Sequence, residues 1–99
     1  MKKLAYETIE NVYSDLYKMG TITTTDQFST QMLGMNKSYL RTIRAKGTNP
    51  SAKALACCSN RLNHLSQKLN ATRDPRALSW ANRMSQLADK CAEQIFAAE

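Results

Sequence analysis

The segment at residues 33–51, LGMNKSYLRTIRAKGTNPS, holds the side chains best suited to chemistry with a polyanion. Its central part has the pattern of a helix that carries Lys37, Arg41 and Arg44 but no acidic residue. Lysine and arginine donate hydrogen bonds to phosphate oxygens and to guanine O6 and N7, and a helix fits the major groove of B-DNA. These residue types therefore predict a helix that binds nucleic acid.

The positive charge is confined to the middle of the chain. Eight lysine and arginine residues and no acid lie in the 47 residues from 27 to 73. Residues 1–26 and 74–99 each carry three cations and four acids, so the middle supplies more than the whole net charge of +6. A basic block between near-neutral flanks is typical of a polyanion-binding surface. The alternative is a solvated basic face that keeps the protein soluble.

Patterns typical of catalysis and metal binding are weak. The chain has one histidine and no glycine-rich phosphate loop, so we expect no enzyme activity and no cofactor. Cys57, Cys58 and His64 supply too few ligands for a metal site, and adjacent helical cysteines point about 100° apart. Three cysteines do not suggest a disulfide framework. With no signal peptide or membrane span in the sequence, we expect a cytoplasmic protein.

Hydrophobic spacing and capping residues predict an all-α chain that forms a single domain over residues 1–99. We expect five helices, over about residues 3–18, 26–33, 37–46, 51–70 and 75–97. Gly34 and Gly47 bracket the third helix, which Asn36 is predicted to cap. The fifth helix begins at Pro75. The short gap between the last two helices predicts an antiparallel hairpin with a long C-terminal helix.

The fifth predicted helix has apolar residues on more than one face. Leu78, Ala81 and Ala88 share one seam. Trp80 and Leu87 cannot both lie on that seam. Either a homodimer interface or the first helix, packed over it, would bury the second face. We expect the homodimer, with an interface made of Trp80, Met84, Leu87, Cys91 and Ile95.

The order of a short helix, a glycine-containing turn and a basic helix resembles the Cro/CI-like (XRE) family of phage and bacterial repressors. The matching pieces lie within about residues 22–66 and are Phe28-Ser29, Gly34-Met35-Asn36, Leu40, Ile43, Gly47 and Pro50-Ser51. Three departures indicate a divergent subfamily. FSTQMLG has one residue more than the family pattern, Arg44 stands where glutamate is common, and the fifth helix is long for this family. The resemblance implies a five-helix helix-turn-helix domain, here extended by a C-terminal helical hairpin.

The same resemblance implies which side chains contact DNA. Lys37, Ser38 and Thr42 match positions that read bases, and Arg41 stands close to them in the sequence. Gln27 matches a phosphate-contacting glutamine near the start of the second helix. The complete set that we expect to contact DNA is Gln27, Asn36, Lys37, Ser38, Arg41, Thr42, Arg44, Lys46, Asn49 and Lys53.

The residues and the resemblance together lead to an expected function. We expect sequence-specific binding of double-stranded DNA by a homodimer on a palindromic operator, as a transcriptional repressor of phage or mobile-element type. No small-molecule ligand is expected. One alternative is a small interaction module, such as a phage-encoded inhibitor or an antitoxin-like adaptor, that uses its basic surface on a protein partner. Sequence-independent binding of DNA or RNA is a further alternative.

Overall fold

A computed structural model describes residues 4–98, and every regular element in this range is a helix. The helices are α1 (Leu4–Met19), α2 (Thr25–Gln31), α3 (Tyr39–Lys46), α4 (Ala52–Ala71) and α5 (Pro75–Ala98). The prediction of an all-α chain with five helices is confirmed. The predicted first residue of α1, residue 3, lies outside the described residues. No described helix combines the length and apolar character needed to cross a bilayer.

A hydroxyl side chain caps the N-terminus of α2 and that of α4. Thr24 Oγ1 accepts a hydrogen bond from the backbone N–H of Gln27 at 3.1 Å. Ser51 Oγ accepts one from the backbone N–H of Ala54 at 3.2 Å. Each bond satisfies an amide that the first helical turn leaves without a partner. Both helices therefore begin where a short hydroxyl side chain precedes the apolar pattern.

The start of α3 differs from the predicted one. Asn36 Oδ1 accepts hydrogen bonds from the backbone N–H of Ser38 at 3.0 Å and from its hydroxyl at 2.8 Å. This local turn competes with helical backbone, so Ser38 is the N-terminal cap residue and α3 begins at Tyr39. The prediction that Asn36 caps a helix from residue 37 is therefore wrong. Lys37 lies in the turn that precedes α3.

The α4–α5 hairpin is held by hydrogen bonds as well as by apolar packing. Ser59 Oγ donates to the Ala88 carbonyl oxygen, and Ser66 Oγ donates to the Ala81 carbonyl oxygen, both at 2.9 Å. The residue number rises along α4 as it falls along α5, so the two helices are antiparallel, as predicted. Buried apolar side chains of both helices belong to one core cluster.

Both α1 and α4 pack against α5, whose buried apolar side chains share one core cluster with theirs. Met84, Leu87 and Cys91 are all 0% exposed and lie in the same core cluster as the apolar side chains of α1. Across this contact, Arg83 Nε donates to Asp15 Oδ2 at 2.6 Å. The prediction that these three core residues form a dimer interface is wrong, because a single chain already removes them from solvent.

The turn between α2 and α3 depends on Gly34. Its φ is +64°, and a Cβ atom there would lie 2.9 Å from Cys57 Sγ of α4. Gly34→Ala is expected to lower the free energy of unfolding by about 2–4 kcal/mol, because left-handed backbone strain and overpacking add. Gly20 also has a positive φ, +80°, but nothing lies within 4 Å of its added Cβ. Gly20→Ala should therefore cost only about 1–2 kcal/mol.

Urea denaturation of the two glycine variants measures this difference. Adding Cys57→Ala to Gly34→Ala should recover part of the lost stability, because the clashing sulfur is removed. Equal losses for Gly34→Ala and Gly20→Ala would contradict the close approach of α4 to the turn.

Candidate nucleic-acid interface

α3 is held against α2 by its apolar side and by one buried hydrogen bond. Leu40 and Ile43 of α3 are buried in the core together with Phe28 of α2. Ser29 Oγ, also buried, accepts from the backbone N–H of Leu40 at 3.0 Å and donates to the Thr25 carbonyl oxygen at 2.9 Å. Leu40 lies in the first turn of α3, whose amides lack helical partners, so Ser29 fixes where α3 begins relative to α2.

The opposite side of α3 and the turn before it face solvent. Lys37, Thr42 and Lys46 are exposed and Ser38 is partly exposed. Within residues 4–98, the ion pairs of the structure include neither lysine. The Thr42 hydroxyl donates to the Ser38 carbonyl oxygen at 2.9 Å, which leaves its lone pairs to accept. This side of α3 therefore presents side chains that can form hydrogen bonds with DNA phosphates and base edges.

Arg41 connects the exposed side of α3 with the start of α2. Its Nη2 lies 3.2 Å from Asp26 Oδ1, and the two side chains are 56% and 45% exposed. A pair this exposed contributes about 0–1 kcal/mol, so an anionic ligand competes readily with Asp26 for the guanidinium. The contact also brings Arg41 to the first turn of α2, which contains Gln27.

The predicted amide contacts are already engaged through their oxygen atoms. Gln27 Oε1 accepts from the backbone N–H and the hydroxyl of Thr23 at 2.9 and 2.8 Å. Asn49 Oδ1 accepts from the backbone N–H of Tyr6, near the start of α1, at 3.2 Å. Asn36 is held by its bonds to Ser38 in the same way. These hydrogen bonds orient the three carboxamide groups. The NH2 group of each carboxamide would be the donor to a phosphate.

Arg44 is directed towards α1. Its Nε and Nη2 donate to the two carboxylate oxygens of Glu10 at 2.9 and 2.7 Å, and its guanidinium carbon lies 5.5 Å from the centre of the Tyr13 ring. The Tyr6 hydroxyl donates to the same carboxylate at 2.8 Å. In this structure an ion pair replaces the predicted phosphate contact of Arg44, because the carboxylate takes the donors that a phosphate would need. Sequence reasoning missed Glu10, which lies 34 residues away and forms no local pattern with Arg44.

The Glu10–Arg44 ion pair predicts a pH-dependent contribution to stability. Burial alone raises the pKa of Glu10, but hydrogen bonds from Arg44 and Tyr6 and the Arg44 charge outweigh burial, so the pKa is lowered. A carboxyl group with a lowered pKa in the folded state stabilises the fold above its unfolded pKa of about 4.3. This contribution is lost as the pH falls through the folded pKa.

Glu10→Gln is therefore expected to be about 1 kcal/mol less stable than wild type at pH 7, since the pair is partly exposed. The difference should shrink as the pH falls from about 5 through the lowered pKa of the wild-type Glu10 carboxyl group. Urea denaturation of both proteins across this range measures it. A difference that stays constant with pH would show that the ion pair does not stabilise the fold.

The loop after α3 holds the last predicted contacts in place. The Tyr39 hydroxyl accepts from the backbone N–H of Ser51 at 2.9 Å, and Pro50 is fully buried. Lys46, at the end of α3, and Lys53, in the first turn of α4, are both exposed. An exposed lysine therefore lies at each end of the loop between α3 and α4, and the Tyr39–Ser51 hydrogen bond and the buried Pro50 hold this loop in place.

The described part of the chain shows no metal centre. Cys57, Cys58 and Cys91 are free thiols, and the last two are buried. Within residues 4–98, no group of three or more histidine, cysteine or acidic side chains is placed to hold a metal ion.

Comparison with known proteins gives a family without an assigned activity. A protein-family model described as "Family of unknown function (DUF6626)" matches residues 9–98. No curated protein and no solved structure matches the chain. The function must therefore be inferred from the residues themselves.

Proposed function

We propose that the exposed side of α3 binds double-stranded DNA in a sequence-specific manner. The chain belongs to the family of unknown function whose model matches residues 9–98, so the proposal rests on the residues of this chain. The observation that carries the proposal is the orientation of α3, which buries Leu40 and Ile43 and exposes Arg41 and Thr42 beside Lys37. We propose further that the protein represses transcription, because occupancy of a promoter by itself excludes polymerase.

The charge around α3 supports binding to a polyanion. The two acids that approach α3 are each matched by an arginine, in the pairs Arg41–Asp26 and Arg44–Glu10. Within residues 4–98, the ion pairs include none of Lys37, Lys46 and Lys53, so these lysines add positive charge at the surface. Phosphate neutralisation by such lysines supplies much of the affinity of DNA-binding proteins and makes it sensitive to salt.

The positions of the side chains suggest separate roles in the proposed complex. Residues at the N-terminal end of a recognition helix reach base edges, and Lys37 and Ser38 precede α3 while Thr42 follows one turn later. Lysine and arginine discriminate guanine, and threonine is permissive. Lys46 and Lys53 would contact phosphates on either side, together with the amide nitrogens of the flanking loops. The resemblance to the Cro/CI-like family supports the same arrangement.

We extend the proposal to a homodimer on a palindromic site of two half-sites about one helical turn apart. Of the predicted interface residues, Trp80 and Ile95 remain partly exposed, and Leu78, elsewhere on α5, is 40% exposed. A dimer would bury this remaining apolar surface. Light scattering should give twice the chain mass of 11.1 kDa, whereas a mass of 11.1 kDa at micromolar concentration would contradict the dimer.

A footprint by NMR spectroscopy tests where DNA binds. Isotope-labelled protein is titrated with a short mixed-sequence duplex at low salt. The largest shifts are expected at Lys37, Arg41 and Thr42, and they should diminish steeply as salt is added. Shifts confined to α5, or no shifts, would contradict the proposal. The absence of any DNA binding would favour the alternative of a protein partner.

A further inference from the structure

A second polar surface lies away from α3, where α4 passes the end of α2. There the structure contains an open groove of about 590 Å³. Gln31 and Met32 form one wall, and Arg61, His64 and Lys68 of α4 line the other. This volume is within the range of small-molecule sites, about 300–1,000 Å³.

The α4 wall of the groove is basic and has no acidic neighbour in the lining. Arg61, His64 and Lys68 are spaced by three and four residues, so they share one face of α4. All three are exposed, and the ion pairs within residues 4–98 include none of them. The charges of Arg61 and Lys68 and the donors of all three side chains are therefore available to an anion, and a concave wall concentrates the positive potential.

The rest of the groove is suited to an organic group. Met32 and Leu65 supply apolar surface, and the Gln31 carboxamide offers both a donor and an acceptor. Inorganic phosphate alone would use only the basic wall. A ligand that joins a phosphate to a planar, hydrogen-bonding ring would use the basic wall, the apolar surface and the amide together.

We propose that this groove binds a small phosphorylated ligand of the nucleoside monophosphate class. Arg61 and Lys68 hold the phosphate, His64 donates to it, and the base lies over Met32 and Leu65. No side chain of α3 lines the groove, so the site is separate from the proposed DNA surface and does not depend on it.

The test is a calorimetric and NMR titration of the full chain with adenosine 5′-monophosphate. Adenosine and inorganic phosphate are titrated separately. The monophosphate should bind, with shifts centred on Gln31, Arg61 and His64, and each part alone should bind about tenfold more weakly or worse. Arg61→Gln combined with Lys68→Gln should weaken binding of the monophosphate about tenfold or more.

Matched controls separate a site from general attraction of anions. Arg76→Gln combined with Lys90→Gln removes the same charge from exposed positions of α5 and should leave the affinity unchanged. Equal weakening by both double variants would overturn the proposal, as would equal binding of adenosine and its monophosphate. Absence of shifts at millimolar ligand would also overturn it. Stronger groove shifts with duplex DNA than with the monophosphate would assign the phosphates to nucleic acid and reject the small ligand.

Discussion

Replacing Lys37 and Arg41 together by alanine is expected to lower the affinity for a specific DNA site by about 100-fold or more. Both side chains are exposed, Lys37 is outside the ion pairs of residues 4–98, and Arg41 is held only by an exposed pair with Asp26. A good base contact contributes about 1–3 kcal/mol of discrimination, so loss of two contacts removes most of the specificity. Fluorescence anisotropy at fixed salt measures the change, with a duplex that carries the site enriched from a random DNA library.

The control for this variant removes the same charge elsewhere. Arg76 and Lys90 lie exposed on α5, and their double alanine variant should weaken binding only about twofold through the general field. Both variants should keep the wild-type urea midpoint within experimental error, because the mutated side chains are outside the core. Equal loss of affinity in the two variants would show that net charge, and not the α3 surface, determines binding.

Truncation of Phe28 to alanine is expected to lower the free energy of unfolding by about 3–5 kcal/mol. Phe28 is fully buried, and its ring meets the Tyr13 ring edge to face with centres 5.4 Å apart. The guanidinium of Arg44 in α3 lies over the same Tyr13 ring, 5.5 Å from its centre. Loss of the Phe28 ring therefore weakens the packing of α2 against α1. It also weakens the packing of α3, because Arg44 contacts the same Tyr13 ring.

Phe28→Leu is the matched control, because it keeps an apolar side chain and should cost only about 1–2 kcal/mol. Urea denaturation of both variants gives the values. Since small domains have about 5–15 kcal/mol in total, Phe28→Ala should also melt well below wild type. A loss below about 1 kcal/mol for Phe28→Ala would contradict the central position of this ring.

The helices could be predicted from the sequence because their signals are local. The three- and four-residue spacing of Leu55, Cys58 and Leu62 marks one face of a helix, and all three are buried. Pro75 begins the last helix, as predicted. Ser51, predicted as the first residue of the helix before it, lies one position earlier as its N-terminal cap. Asn36 was misassigned because the same side-chain oxygen serves a cap and a local turn equally well.

The contacts between helices could not be predicted, because they join residues far apart in the chain. Arg83 and Asp15, 68 residues apart, belong to the contact between α1 and α5, and no spacing rule relates them. The sequence predicts apolar residues on more than one face of α5, but whether α1 or a partner covers them depends on packing between distant segments. The basic groove could not be predicted for the same reason, since Met32 and Arg61 line it together only in the folded chain.

Selection from a random duplex DNA library, at physiological salt and with excess non-specific competitor, tests sequence-specific DNA binding most directly. We predict enrichment of a palindrome whose half-sites lie about one helical turn apart, and loss of that enrichment with Lys37→Ala/Arg41→Ala. DNA that is retained without an enriched motif would contradict sequence-specific recognition. No retained DNA at all would contradict the assignment of α3 as a DNA-binding surface.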